Sequence, residues 1–176
     1  KSEDMDDLIR KIREEFTSFD ILINCAGENH RKSLSESMLD EFDSCMNLNV
    51  RAPFLLCKEF SNDMTEKKWG RIVNIASSSA HNGFKNAAIY CSSKHALLGL
   101  SRTLFVELKD SNVRTFCVAP GSMKTRMAKE DEGLLAEHDY NTFLEPSEVA
   151  EFITKIISYD NEMISQEISV NRLNIN

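Results

Sequence analysis

Three short apolar runs, each closed by small or polar residues and separated by long amphipathic stretches, constrain this chain more than any other feature. Ile21-Leu22-Ile23-Asn24 leads into Ala26-Gly27. Arg71-Ile72-Val73-Asn74-Ile75 is followed by Ala76 and by three serines, Ser77 to Ser79. Val113 to Val118 stops at Ala119-Pro120-Gly121. Each run has the length of a buried strand. The stretches between them carry helical spacing. Met5, Leu8, Ile9, Ile12 and Phe16 recur before the first run. A stretch from about Leu34 to Met64 follows it in two pieces and is broken by Gly70. Ala88 to Leu108 follows the second run, with Ala96, Leu97, Leu100, Leu104 and Leu108 on one side. Residues 122–145 are polar and loop-like with some helical character. Pro146 suits the first turn of another helix carrying Val149, Phe152, Ile153 and Ile156. Glu167 to Val170 reads as a last strand. Strands and helices alternating at this spacing predict βαβ units, hence an α/β fold with a parallel sheet covered by helices on both faces. Such sheets take ligands at the carboxyl ends of their strands. Those ends here carry the small and polar residues that a close-approaching ligand needs.

Composition narrows the function. The chain's 176 residues suit one compact domain or a large piece of one. A net charge of −7 disfavours a nucleic-acid binder, which needs a basic face to track phosphates. No apolar run approaches the roughly 20 residues of a membrane span. Cys25, Cys45, Cys57, Cys91 and Cys117 are odd in number and widely spaced, without a C-x-x-C pair. They read as reduced thiols of a cytoplasmic protein, most of them packed as small hydrophobes. No residues have metal-ligand spacing, so no metal is expected. The serine run lacks the G-x-S-x-G elbow of a hydrolase.

Tyr90 and Lys94 stand four apart in the longest helical stretch, so their side chains share a face. Alone, such a pair is as well explained by an exposed helix surface. Its setting carries more information. Asn24-Cys25-Ala26-Gly27 ends one strand. Asn49 lies in Leu48-Asn49-Val50-Arg51-Ala52-Pro53-Phe54. Ser77 follows the next strand, 13 positions before Tyr90. Pro120-Gly121-Ser122-Met123-Lys124-Thr125 follows the third. Five motifs in this order and spacing resemble the short-chain dehydrogenase/reductase family in its single-domain form, over nearly the whole chain.

The resemblance implies a Rossmann-like doubly wound sheet and a cofactor, NAD or NADP. It implies interconversion of a carbonyl and a secondary alcohol by hydride transfer. Tyr90 would be the general acid in reduction and the general base in oxidation. An ordinary phenol ionises near pH 10, and a Lys94 ammonium beside it is expected to bring that value toward neutrality. Lys94 would also bond the nicotinamide ribose. Ser77 would hydrogen-bond the substrate oxygen, and Asn49 would hold a water joining Lys94 to solvent. Asn24, Ala26 and Gly27 would line the cofactor ribose, and Pro120, Gly121, Met123 and Thr125 the nicotinamide. Substrate contacts are expected from His81, Asn82 and Phe84, with Met127, Leu134 and Tyr140 as weaker candidates. The two long helices carry more apolar surface than one side of a sheet needs. Relatives pair these helices between subunits, which implies a homodimer or homotetramer.

The sequence departs from the family at its C-terminus, where Gln166 to Arg172 lacks a double glycine many relatives have, and more consequentially in its glycine-rich turn. Its six glycines, at positions 27, 70, 83, 99, 121 and 133, form no glycine-rich fingerprint. That turn cradles the dinucleotide pyrophosphate at a helix N-terminus. In the family it lies upstream of the point matching Lys1. The expectation is a partial Rossmann domain over residues 1–176, belonging to a longer chain, with Ile21–Asn24 left as a buried-type strand at a sheet edge. The competing expectation is a catalytically silent member that keeps the fold as an interaction module.

Overall fold

The computed structural model describes residues 2–162 and 164–173. Helix α1 (Ser2–Glu15) leads to strand β1 (Ile21–Asn24). Helix α2 (Leu39–Met46), a π-turn (Asn47–Arg51) and helix α3 (Ala52–Lys67) follow, then strand β2 (Gly70–Ile75). Helix α4 (Ala88–Leu108) and strand β3 (Val113–Pro120) come next. Short helices α5 (Arg126–Glu130) and α6 (Glu132–Glu137) precede helix α7 (Pro146–Ser158) and strand β4 (Glu167–Val170). The four strands form one sheet in the order β1-β2-β3-β4, and every pairing is parallel. This is the α/β architecture the alternating pattern predicts, down to the bounds of β1, α4 and β4.

Period-two alternation explains how the sheet is covered. Val73, Ile75, Phe116 and Val118 point to one face and pack on Leu144, Val149 and Ile153, the last two from α7. Ile72 and Val113 point to the other face, against Cys57 and Met64 of α3. Cys117 and Ala119 meet Leu98 of α4 there, with Ala76 and Ala80. Sheet β1 ends the row. Ile21 and Ile23 share the face of Val73 but lie beyond the cover of α7, and they stay 45% and 46% exposed.

Polar groups tie these layers. Asn24 Nδ2 donates to Asn74 Oδ1 at 2.7 Å, and Asn74 Nδ2 donates to Ser101 Oγ at 2.9 Å, linking β1, β2 and α4. Arg71 is fully buried. Its guanidinium donates to the carbonyls of Gly70, Ile157 and Tyr159 and to Asp160, so it anchors the end of α7. Burial pushes its pKa down and the Asp160 carboxylate opposes this.

The π-turn has a local cause. Pro53 has no N–H to return to the Asn49 carbonyl four residues back, so regular α-helical bonding fails at this point. The chain absorbs the fault by widening one turn, and the Ala52 N–H bonds the Asn47 carbonyl instead. Asn49 is thereby carried inward and is 1% exposed.

Gly70 is required by packing. A Cβ there would stand 2.5 Å from Met64 Cβ, and Met64 is fully buried. Gly70→Ala should lower stability by about 1–3 kcal/mol, the usual range for overpacking. A shift of the urea midpoint at constant slope measures it; an unchanged midpoint contradicts this packing. Among the described residues no helix is long and apolar enough to cross a membrane.

Candidate active site

The carboxyl ends of β2 and β3 open into a cleft of about 220 Å³. Its wall includes Ser77, Phe84, Tyr90, Pro120, Gly121, Met123 and Thr125. Each has a local reason for its place. Ser77 leaves β2 in extended conformation and accepts the Ser79 N–H at 3.1 Å, which starts a short 3-10 turn. Tyr90 sits in the first turn of α4. Pro120 ends β3, and the Gly121 N–H bonds the Val170 carbonyl of β4 at 2.8 Å. Thr125 caps α5 by accepting the Ala128 N–H at 3.2 Å.

Ser77 and Tyr90 stand side by side on this wall, near enough for the serine hydroxyl to favour the phenolate. Lys94 lies one turn further along α4, 4% exposed, with its Nζ 5.6 Å from the Tyr90 ring centroid. Nζ donates to the Ile75 carbonyl at 2.9 Å. Burial pushes the Lys94 pKa down to about 8, opposed by the thiols of Cys45, Cys117 and Cys25. Gly27 brings the backbone against this group. A Cβ there would lie 3.2 Å from Asn49 Oδ1 and 3.5 Å from Lys94 Nζ. Asn49 grips the next residue twice: its Oδ1 accepts the Glu28 N–H at 3.0 Å and its Nδ2 donates to the Glu28 carbonyl at 2.9 Å. Asn49, Ser77, Tyr90, Lys94 and Gly27, scattered over 68 positions of sequence, are thus brought together.

Four expectations are corrected. Tyr90 is pushed above the usual phenol range, not toward neutrality, because burial outweighs the influence of Ser77. The Lys94 ammonium meets the ring and the Ile75 carbonyl, and the hydroxyl lies beside Ser77 instead. Asn49's side chain is committed to Glu28 and its neighbours, so a water held by this residue must use its main-chain carbonyl. Asn24 turns its amide into the sheet toward Asn74 and Cys57, leaving only its backbone to face a ligand. His81 and Asn82 do not line the cleft: the 3-10 turn over Ser78–Ala80 carries them outward. Both are exposed. Of the three substrate candidates, Phe84 alone lines the cleft. Among the weaker ones Met127 and Leu134 do, whereas Tyr140 packs on Phe143.

The cleft also has a cover that spacing could not reveal. Asn29 and Arg31, just after β1, reach α5 and α6 a hundred residues later. Asn29 Nδ2 donates to Asp131 Oδ2 at 3.1 Å, and Arg31 NH2 meets Glu137 Oε2 at 2.7 Å. Asp131 also caps α6 by accepting the Leu134 N–H at 2.9 Å. Part-exposed contacts of this kind are worth about 0.5–1 kcal/mol each. Arg31→Ala should therefore speed amide exchange over residues 126–137 by about 2- to 5-fold, since local opening is limited by such contacts. Exchange in β2 and β3 should not change. Equal protection in both proteins would show that this pair does not hold the cover. No group of His, Cys, Asp and Glu able to hold a metal occurs among the described residues.

Residues 1–133 match the family described as short chain dehydrogenase. An uncharacterized oxidoreductase of Thermotoga maritima is 36% identical over 135 residues, which cover 77% of this chain and 51% of the relative. The chain spans about half the length of the first curated relatives it matches. Among solved structures, 4-hydroxyisoleucine dehydrogenase complexed with NADH superposes with a TM-score of 0.87 at 30% identity, covering 98% of this chain and 74% of that one. A metagenomic short-chain oxidoreductase in complex with NADP gives 0.80 at 27% identity, covering 99% and 71%. With its parallel Rossmann-like sheet and a match over most of its length, the chain belongs to the short-chain dehydrogenase family.

Proposed function

We propose that this chain carries the catalytic part of an NAD- or NADP-dependent oxidoreductase that interconverts a carbonyl and a secondary alcohol. The observation that supports it most is the meeting of Ser77 and Tyr90 on one cleft, with a buried lysine one turn below. A nicotinamide nucleoside fits the residues present. Gly27 keeps the backbone low beside Asn49 and Lys94: a Cβ there would crowd Asn49 Oδ1 and touch the Lys94 ammonium. Ala26 and Gly27 would line its ribose, with the Asn24 backbone, and Tyr90 and Lys94 would bond the ribose hydroxyls. Pro120, Gly121, Met123 and Thr125 would hold the nicotinamide. When bound, the cofactor supplies the hydride. The protein supplies the rest. Ser77 donates to the substrate oxygen as negative charge grows on it. Tyr90 hands that oxygen its proton in reduction and recovers it in oxidation. Phe84, Met127 and Leu134 exclude water from the apolar side of the cleft.

The raised phenol pKa has a direction that can be tested. Tyr90 stays protonated through neutrality, so carbonyl reduction should keep its proton donor through the ordinary phenol range, and its first fall should come above about pH 8, where the Lys94 ammonium is lost. Alcohol oxidation needs the phenolate and should rise with pH. Four buried thiols and the exposed Cys25, all unpaired, suit a reducing cytoplasm. The apolar groove of Met46, Val50, Phe54 and Leu100, between the π-turn, α3 and α4, suits pairing with a second copy.

Binding tests the cofactor assignment. Reduced nicotinamide mononucleotide needs only the ribose and nicotinamide contacts named above. Titrations with it, with NADH and with NADPH should show saturable binding to the wild type that weakens in Lys94→Met. A folded protein that takes none of the three would overturn the assignment.

A further inference from the structure

Ser93 stands between the two residues of the Tyr90–Lys94 pair and is fully buried. Its hydroxyl donates to the Tyr90 carbonyl at 2.8 Å. Taken alone that is the ordinary back-bonding of a helical serine. The oxygen, however, also accepts from another element: Asn49 Nδ2 lies 2.9 Å away. An amide nitrogen has two hydrogens. Asn49 Nδ2 has three acceptors in reach: the Glu28 carbonyl at 2.9 Å, Ser93 Oγ at 2.9 Å and Cys45 Sγ at 3.2 Å. Sulfur is the weakest acceptor of the three, so the two hydrogens go to Glu28 and Ser93. That leaves Asn49 Oδ1 facing the Glu28 N–H. The result is one continuous path, from the Tyr90 carbonyl through Ser93 and Asn49 to both backbone groups of Glu28. Glu28 directly follows Gly27, whose backbone abuts Lys94.

We propose that Ser93 is a positioning residue. It holds the Asn49 amide in one orientation and thereby locks the Gly27–Glu28 backbone in register with the helical turn that carries Tyr90 and Lys94. Its consequence for turnover rests on the oxidoreductase reading; its consequence for the backbone does not. Without the hydroxyl, the second Asn49 hydrogen falls to Cys45 and the amide is free to turn.

Site-resolved amide exchange on the ligand-free chain reads the lock directly. Ser93→Ala should speed exchange at the Glu28 N–H by about 10-fold, the scale of one lost buried hydrogen bond, while the amides of β2 and β3 keep their protection. Ser93→Thr keeps the hydroxyl and should stay within about 2-fold of wild type at Glu28. Should its extra methyl prevent folding, Cys45→Ala serves as the control: the thiol reaches the Glu28 carbonyl and Ser93 Oγ only through long contacts of 3.6 and 3.5 Å, so its removal should leave the Glu28 N–H protected. In turnover, Ser93→Ala should lower kcat about 10-fold with the KM for the nicotinamide cofactor within about 2-fold. Unchanged Glu28 protection in Ser93→Ala overturns the proposal. So does a loss spread equally over β2 and β3, which marks general loosening. A Glu28-specific loss in a protein whose wild type shows no turnover upholds the lock and refutes the oxidoreductase reading instead.

Discussion

Tyr90→Phe is expected to reduce turnover by about 10³-fold, within the range for removal of a general acid, and to leave the fold intact. The phenol lines the cleft beside Ser77, where a substrate oxygen would receive its proton. Ser77 itself is a poor acid, and its hydroxyl already accepts the Ser79 N–H. The ring of Tyr90 packs in the first turn of α4, and phenylalanine preserves that packing. Loss of the hydroxyl costs at most about 1 kcal/mol, so the thermal midpoint should move by a few degrees at most. Cofactor binding should weaken only slightly, because Lys94 remains. Steady-state kinetics in the reducing direction measure the effect. Turnover within about 10-fold of wild type would mean that another group delivers the proton.

Lys94→Met should move stability and activity in opposite directions. Lys94 is 4% exposed and its ammonium donates to the Ile75 carbonyl. Its folded pKa of about 8 lies below the ordinary 10.5. The unfolded chain therefore holds this proton more tightly than the folded one. The penalty is complete below pH 8 and is relieved as the pH rises from 8 to 10.5. A shift of this size corresponds to roughly 3 kcal/mol. Methionine has a similar length and fills the space without charge. It forfeits the bond to Ile75, worth about 1 kcal/mol. The variant should thus be more stable than wild type by about 1–2 kcal/mol at pH 7, and this advantage should vanish above pH 10. Turnover should fall at least about 10²-fold with it, as expected where a buried charge is kept for chemistry at the cost of stability. Urea unfolding at pH 7 and at pH 10 decides the matter. A variant less stable than wild type at pH 7 would show that the lysine is a structural member of the core.

Much of this arrangement was legible in the sequence, because it depends on local rules. Ile21–Asn24, Ala88–Leu108 and Glu167–Val170 carry their periodicity within themselves, so their bounds follow from hydrophobic pattern alone. The break between α2 and α3 could have been placed at Pro53 from its missing N–H. Ser77, Tyr90, Lys94 and Asn49 were readable through a family pattern of ordered motifs, and the fold brings them together.

What was not legible depends on long-range contact. Nothing local distinguishes Asn24, which bonds across the sheet, from an asparagine that faces a ligand. His81 and Asn82 follow Ser77 closely in sequence, yet one 3-10 turn suffices to send them outward. Arg31 and Glu137 are 106 positions apart and carry no mark of their pairing. Ser93 looks like any helical serine until Asn49 is placed beside it. The direction of the Tyr90 pKa has a related cause: proximity to Lys94 along α4 points to a charge effect, whereas burial of the hydroxyl, the larger influence, depends on the loops that cover it.

The central claim is that a hydride passes between a nicotinamide ring and a carbon whose oxygen lies beside Ser77 and Tyr90. Isotope transfer tests it most directly. The protein is supplied with a ketone that it turns over and with reduced cofactor deuterated at the reactive ring carbon. The alcohol is then analysed by mass spectrometry and NMR. One deuterium on the carbinol carbon, in a single configuration, with the hydroxyl proton drawn from solvent, is the predicted result. Alcohol carrying solvent hydrogen at that carbon, or label divided between both configurations, would contradict it.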